Sequence, residues 1–508
     1  MKVDCLKFFV LFLLFISLIP NLLFSQVDTA WVRRYNGPGN YGDCAKAIDI
    51  DNNGNVYVAG TSYGENTGYD YATIKYDTDG NLLWVRRYNG LGNGNDDVSA
   101  IAIDNNNNVY VTGRSYGENT GYDYATIKYD TDGNLLWVRR YNGLGNGNDG
   151  ASAIAIDNNG NVYVTGYSYD SLTMTDYTTI KYDKDGNELW VRKYDGPASG
   201  YDYACKIVTD DSGNIFVTGI IANPYLCDYC TIKYDKNGNE LWVRMYNGSK
   251  LSNDIATAIA VDYEGNVYVT GYSWEWLTYQ ADYVTIKYDK DGNELWIRRY
   301  DGPDNYFDNA HAISVDKEGN VYVTGFSFAS GTFDDFTTIK YDKDGNELWV
   351  RRYNGPTNRI DRANAIVLDN FGNVYVTGES ENYNTDTTYL DYATVKYDKD
   401  GNELWVMRYN GPANHFDWAT SIVVDNENNI YVTGGSYGYG SYSDYATIKY
   451  VQRVPIINQE KENNIEKKLI KRNKIYDITG KIIKEKKLKK GIYFKEIEKG
   501  IKKILILR

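Results

Sequence analysis

Three features of this sequence have the residue types and spacing for chemistry: acid-rich glycine loops, serines set between glycines, and a cysteine pair. Asp77-Thr78-Asp79-Gly80-Asn81 places two carboxylates and an amide at alternating positions around a glycine, as a calcium loop does. The pattern occurs seven times, once with Asn237 replacing the second acid. A calcium loop of the EF-hand kind continues to further oxygens and a late bidentate Glu, whereas here Leu82-Leu83-Trp84 follow. A turn accounts for the same residues, since Gly80 can take a positive φ and Asp77 can hold the turn amides. The turn is the reading adopted, and no metal site is assigned.

The serines fare no better as catalysts. Gly60-Thr-Ser62-Tyr-Gly64, Gly113-Arg-Ser115-Tyr-Gly117 and Gly434-Gly-Ser436-Tyr-Gly438 all match G-x-S-x-G. A nucleophile elbow needs a strand, a sharp turn, a helix and a histidine partner. Here a β connection follows, and three copies of one catalytic serine have no use. His311 and His415, the only histidines, are expected in connections between repeat units, with no motif around them. Cys227-Asp-Tyr-Cys230 has metal-ligand spacing, but no second pair accompanies it, and so few cysteines do not make a disulfide scaffold. Neither a catalytic constellation nor a cofactor is assigned.

What positions these residues is a repeat. Ser62–Asp96 is identical to Ser115–Asp149, and looser copies follow about every fifty residues. Each unit holds an "AIAID"-like strand, a "VYVTG" strand, a "DYATIKY" strand and a strand bearing Trp, as in Trp84. Aromatic residues make up 15% of the chain, with 51 Tyr, which suits pleated, half-buried surfaces. Four short strands per unit with aromatic signals is the pattern of a propeller blade, with the "AIAID" strand innermost. The first Trp strand, around Trp31, precedes any inner strand, and the eighth triplet, ending at Tyr450, has no Trp strand after it. The expected fold is therefore all-β: an eight-bladed β-propeller over 27–450, closed by its N-terminal strand.

This region resembles the bacterial secreted β-propeller repeat family, the SBBP type, through stretches such as Asn161-Val-Tyr-Val-Thr-Gly166 and Asp176-Tyr-Thr-Thr-Ile-Lys-Tyr182. The resemblance implies a propeller in an extracytoplasmic setting and no particular chemistry. The termini agree with export. Lys2 and Lys7 precede an apolar run from Phe8 to Phe24, which reads as a signal peptide over 1–25. Val451–Arg508 carries 18 Lys and Arg against 7 Asp and Glu, a net +11, leaving −25 on the rest of a chain of net −14. An acidic body repels nucleic acid, and no nucleic-acid partner is expected. After a polar linker over 451–474, strand patterns at Ile475–Ile483, Lys490–Phe494 and Lys502–Leu507 form a small β domain over 475–508. Its "YD-x-x-G", "KKGIYF" and basic-apolar end resemble the C-terminal sorting domain of the type IX secretion system, which implies recognition by outer-membrane export machinery.

Recurrence separates scaffold from function. Asp43, Asp96 and their six counterparts sit six residues after a Gly in every unit. They could ring a channel mouth and attract cations, but bonding their own loops is the simpler use. Connections between the second and third strands differ most, and share a face with those between units; variable loops on a rigid scaffold are where recognition concentrates. One of them, Ser273-Trp274-Glu275-Trp276-Leu277-Thr278-Tyr279, holds three aromatics suited to stacking on sugars or anchoring a protein. Trp274, Trp276 and Tyr279 are the candidate ligand-binding residues. The expected function is a monomeric, non-enzymatic recognition or adhesion scaffold, secreted or at the cell surface, with glycan or protein ligands. The alternative is an extracellular hydrolase or lyase on polysaccharide using loop acids or His311.

Overall fold

The computed structural model describes residues 26–223, 226–248, 252–278, 280–384 and 387–453, and within the tail residues 475–476, 482–483, 491–497 and 501–507. Val27–Gln452 forms one compact unit. Its first blade is a sheet of Asp43–Ile50, Val56–Gly64, Gly68–Tyr76 and Leu82–Tyr88, paired in that order. Six more sheets repeat it. The eighth joins Asp417–Val424, Ile430–Tyr437 and Ser443–Arg453 to Gln26–Tyr35, so the first strand of the unit is the outer strand of the last blade. Inner strands of neighbouring blades lie side by side around the ring, and Asp417–Val424 closes it against Asp43–Ile50. The fold is an eight-bladed β-propeller, as the strand count required. The last third strand runs to Arg453, past the expected boundary at Tyr450.

Each blade is bent at its inner strand. A bulge between Ala45 and Ala47 shifts the register there, and all seven other blades carry the equivalent shift. The bulge drives the Cys44 carbonyl against the second strand, where a Cβ on Gly60 would lie 2.1 Å from it. That contact is why "VYVTG" ends in glycine. In blade two Thr112 and Thr126 pair their hydroxyls across the second and third strands at 2.9 Å. Six further blades repeat the pair; blade one has Ala59 there instead.

Because blades stack, the hydrophobic cores lie between them. Trp31, Tyr431 and Tyr445 of blade eight pack with Ala45, Val58, Ile74 and Tyr76 of blade one, and seven similar clusters occupy the other junctions. Both faces of the third strand are consequently buried, from Tyr71 through Tyr76. Outer-strand Trp84 lies on the turn of the next blade, where a Cβ on Gly133 would meet its ring at 2.9 Å. Its indole N–H donates to Thr131 O at 3.1 Å. Burying such a ring contributes roughly 2–3 kcal/mol.

The lysine of "YATIKY" is a second tie between blades. Lys75 is buried under its aliphatic stem, sits 4.9 Å from the Tyr57 ring centroid, and donates to Thr131 O of blade two at 2.8 Å. Lys128, Lys181, Lys233, Lys287, Lys340 and Lys449 reach the equivalent carbonyl of the following blade. Only the junction of blades seven and eight departs. Blade eight's third strand runs on to Arg453 where the other blades turn, and Lys396 donates to Gln452 Oε1 at 2.5 Å. Gln452 also donates to Tyr375 Oη and Asn428 O, filling the place of the missing turn.

In the tail, the described strands form one sheet in the order Ile482–Ile483, Ile475–Tyr476, Gly491–Ile497, Ile501–Leu507, with antiparallel pairing throughout. This agrees with the expected strand pattern. The apolar run at 1–25 and the linker at 454–474 lie outside the described residues.

Candidate functional site

The recurring polar residues are consumed by the scaffold. Asp77 Oδ1 accepts from the amides of Asp79 and Asn81, and Oδ2 from the Asn81 side chain, while Gly80 takes φ +78°. Desolvation is the largest single influence and pushes the Asp77 carboxyl up, but these bonds together outweigh it and hold the group below the usual carboxylate range. Asp51, in the other fixed turn, accepts from the amides of Asn53 and Asn55, from the Asn55 side chain and from Tyr57 Oη. Both turns are thus closed by their own amides, the use that the turn reading gives these residues.

The Asp43 series is buried in all eight blades. Asp43 accepts from the amides of Gly37 and Tyr63 and so pins its own connecting loop, as expected. Burial pushes four of these carboxyls, Asp202, Asp308, Asp361 and Asp417, up to about 6. The G-x-S-x-G serines are equally structural. Ser62 is buried within the second strand and its Oγ accepts from Arg87, which also bridges Asp70 at 2.7 Å and reaches Tyr35 Oη of the preceding blade. Arg140 and Arg34 make the same network with Ser115 and Ser436. Blades three and four break it, with Lys193 and Met245 in the arginine position.

Sequence reasoning misplaced one histidine. His311 lies inside the inner strand Asp308–Val315, where its Nδ1 contacts Ala363 O at 2.9 Å, because the bulge turns that residue toward the next blade. Burial lowers its pKa. His415 does lie in a connection between blades, between the rings of Tyr389 and Tyr437 at 4.7 and 4.5 Å. Cys227 and Cys230 share the strand Leu226–Tyr234 at an odd separation, so their side chains point to opposite faces and do not converge on one ion. Asp282, Asp301 and Asp308 bring carboxylate oxygens within 4.8 Å of one another, with Arg299 paired to Asp282 at 2.8 Å.

The loop face is different in kind. Connections between second and third strands meet connections between blades there, and the meeting places are aromatic. Tyr41 contacts Tyr63 and Tyr442 at 5.1 and 4.3 Å. Tyr306 contacts Phe307 and Phe328, which in turn meets Phe333. Tyr201 and Tyr203 stack with their planes 7° apart. Tyr41 and Tyr306 also draw partners from loops 22 residues away, Tyr63 and Phe328, and Tyr41 one from the far end of the chain, Tyr442, so no single stretch announces these clusters. Two turns also forgo glycine. Where blades one and two have Gly68 and Gly121 at positive φ, blade three has Met174 at +75° and blade six has Phe333 at +58°. Such a backbone costs an ordinary side chain about 1 kcal/mol or more.

Of the candidate ligand-binding residues, Trp274 is the penultimate residue of the second strand of blade five, half-buried opposite Asn253 and Ala281. Trp276 packs against it at 4.9 Å and remains 48% exposed, beside Leu277 at 76%. Tyr279 lies outside the described residues.

The family model of the SBBP beta-propeller repeat matches residues 83–119, 136–172, 246–275 and 348–384. A curated relative, the uncharacterized WD repeat-containing protein L264 of Acanthamoeba polyphaga mimivirus, is 23% identical over 460 residues, covering 71% of this chain and 31% of that protein. The chain thus spans about a third of that relative's length. Among solved structures, a polysaccharide (ulvan) lyase bound to -[GlcA(1-4)Rha3S]- is 11% identical with a TM-score of 0.42, covering 76% of this chain and 97% of its own. The β-propeller domain of the Trilobed protease from Pyrococcus furiosus is 11% identical with a TM-score of 0.38, covering 73% and 94%. Four segments of this chain are similar to the SBBP repeat, and they support an SBBP-type protein built on a β-propeller scaffold.

Proposed function

We propose that this protein is an exported, non-enzymatic recognition or adhesion scaffold whose loop face meets glycan or protein ligands. The observation that carries the reading is the exposed aromatic side chain placed where the loop itself does not require one. Phe333 occupies a left-handed turn that glycine would fill without strain, yet its ring is half exposed. Trp276 stands exposed on Trp274 in the same way. Aromatic rings at such sites supply large contact area at low entropic cost, on apolar sugar faces or in a partner's pocket. The repeated serines, arginines and acids, committed to blade architecture, support recognition rather than catalysis.

The terminal segments supply the setting. The run at 1–25 acts as a signal peptide, and the 475–508 domain is a type IX-like sorting address that delivers the propeller, as a monomer, to the surface or medium. Fusing residues 451–508 to an unrelated exported protein, in a host with that machinery, should carry it across the outer membrane; retention in the periplasm refutes the address.

Glycan arrays and surface-protein panels test the face itself. Trp276→Ala and Phe333→Gly should each weaken retention of the ligand about tenfold while leaving the fold intact. Phe333→Gly should raise thermal stability as the strained turn relaxes. A fall in stability with unchanged retention would mean that these rings are merely packing.

A further inference from the structure

The opposite face, built from the fixed turns, carries cavities of its own. Two half-open grooves of about 350 and 460 Å³ lie side by side over blades four to seven, and Tyr263 lines both. The larger one is bounded on its far side by Phe371. Tyr263 is 75% exposed and Phe371 68%.

These two rings depart from the repeat. Both sit in the turn between inner and second strands, where blades one to three have Asn52-Asn53, Asn105-Asn106 and Asn158-Asn159. That turn is held by main-chain amides: Phe371 N and Glu264 N donate to Asp369 and Asp262. The side chains at these positions do nothing for the turn, and a polar residue serves it equally well in blades one to three. Aromatics occur there only in blades five and seven, on either side of blade six, and both face the same groove. Blade six contributes Lys317 and Glu318 between them.

We propose that this groove is a second binding site, for a neutral glycan, with Tyr263 and Phe371 stacking on pyranose faces and Lys317, Glu318 and Asn370 bonding to hydroxyls. Its volume is that of a small-ligand site, and two separated aromatic platforms with polar groups between them suit a chain of rings. Four carboxylates line the groove, those of Asp316, Glu318, Asp369 and Asp400, against three ammonium groups, those of Lys317, Lys340 and Lys399, so its balance is acidic and a uronate or sulfated chain is disfavoured. The site is independent of the loop-face reading and stands or falls separately.

The experiment is calorimetric titration of the full chain with cellohexaose, chitohexaose and pentalysine. One of the two neutral glycans should bind. Tyr263→Asn and Phe371→Asn, which restore the residue of the first three blades, should each weaken it about tenfold. Thermal melting checks that the variants fold. The proposal is overturned by absence of millimolar binding to either glycan, by affinity unchanged in the double variant, or by pentalysine binding tighter than both, which would assign the groove to a cationic peptide.

Discussion

Two junctions of the ring solve the same packing problem with different parts. Between blades two and three, Trp137 lies on Gly186 of the neighbouring turn, its indole N–H donates to Lys184 O, and Lys128 ties to the same carbonyl at 2.8 Å. Between blades seven and eight no such turn stands among the described residues, where the third strand of blade eight runs on to Arg453. Trp405 packs on Tyr375 and Tyr450 at 5.9 and 6.4 Å, its indole nitrogen is enclosed without an acceptor, and Gln452 stands in for the missing carbonyl. The ring needs this seam because its last outer strand comes from the other end of the sequence. A covalent hairpin is replaced by a strand that must find its place, and one side chain repairs the gap.

The largest effect should come from taking away that strand. Deleting residues 26–35 removes Trp31 from the core with blade one, strips Arg34 from Ser436 and Asp444, and bares the third strand of blade eight as an open edge. The thermal midpoint should fall by on the order of 10 °C or more, with association of the open ring visible by light scattering. A deletion that melts with the parent would show that ring closure contributes nothing.

Next in size are the two tryptophans. Trp137→Ala empties a well-filled junction and should cost about 3–5 kcal/mol, measured by denaturant unfolding. Trp405→Ala should cost clearly less, since its ring is less buried and has no turn beneath it. Equal costs would mean that the seam is packed as tightly as a regular junction. Below these stands Gln452→Ala, which removes the acceptor facing Lys396 and a donor to two oxygens, for about 1–3 kcal/mol. No single side chain plays this part elsewhere, because a main-chain carbonyl does.

Much of this was legible in the sequence, for a physical reason. Internal repetition makes one blade's pattern testable in seven others, so strand order, turn residues and the Trp31 clasp followed from counting. The turn chemistry of Asp77 and Gly80 was equally readable, being local. What was not readable required two blades at once. Nothing along the chain says that Lys75 reaches Thr131, that Ser62 is held by Arg87, or that His311 lies within a strand. The candidate site was half legible: Trp276 announced itself by composition, whereas the Tyr41, Tyr306 and His415 clusters assemble from separate loops. Tyr263 and Phe371 stood in plain view as breaks in the Asn turns, but only the groove gives them a common purpose.

The smallest predicted effect separates the junctions by pH. Burial lowers the Lys396 pKa to about 8, and Asp369 opposes that shift only in part. The folded state then binds fewer protons than the unfolded chain between about 8 and the ordinary value near 10.5. Stability must therefore rise with pH across that window, because the cost of a buried ammonium is complete below it and vanishes above it. Lys75, Lys128, Lys181, Lys233, Lys287 and Lys340 are also lowered, so the absolute slope is shared among junctions. The difference between the parent and Lys396→Met isolates the seam: any lost packing or lost hydrogen bond shifts both ends of the pH scale alike, whereas the titration tilts it. Thermal midpoints taken from pH 7 to 9.5 should show the parent gaining on the variant as pH rises. Parallel curves would mean that Lys396 binds its proton equally well in the folded and the unfolded chain, and that the seam imposes no net burial cost on the ammonium.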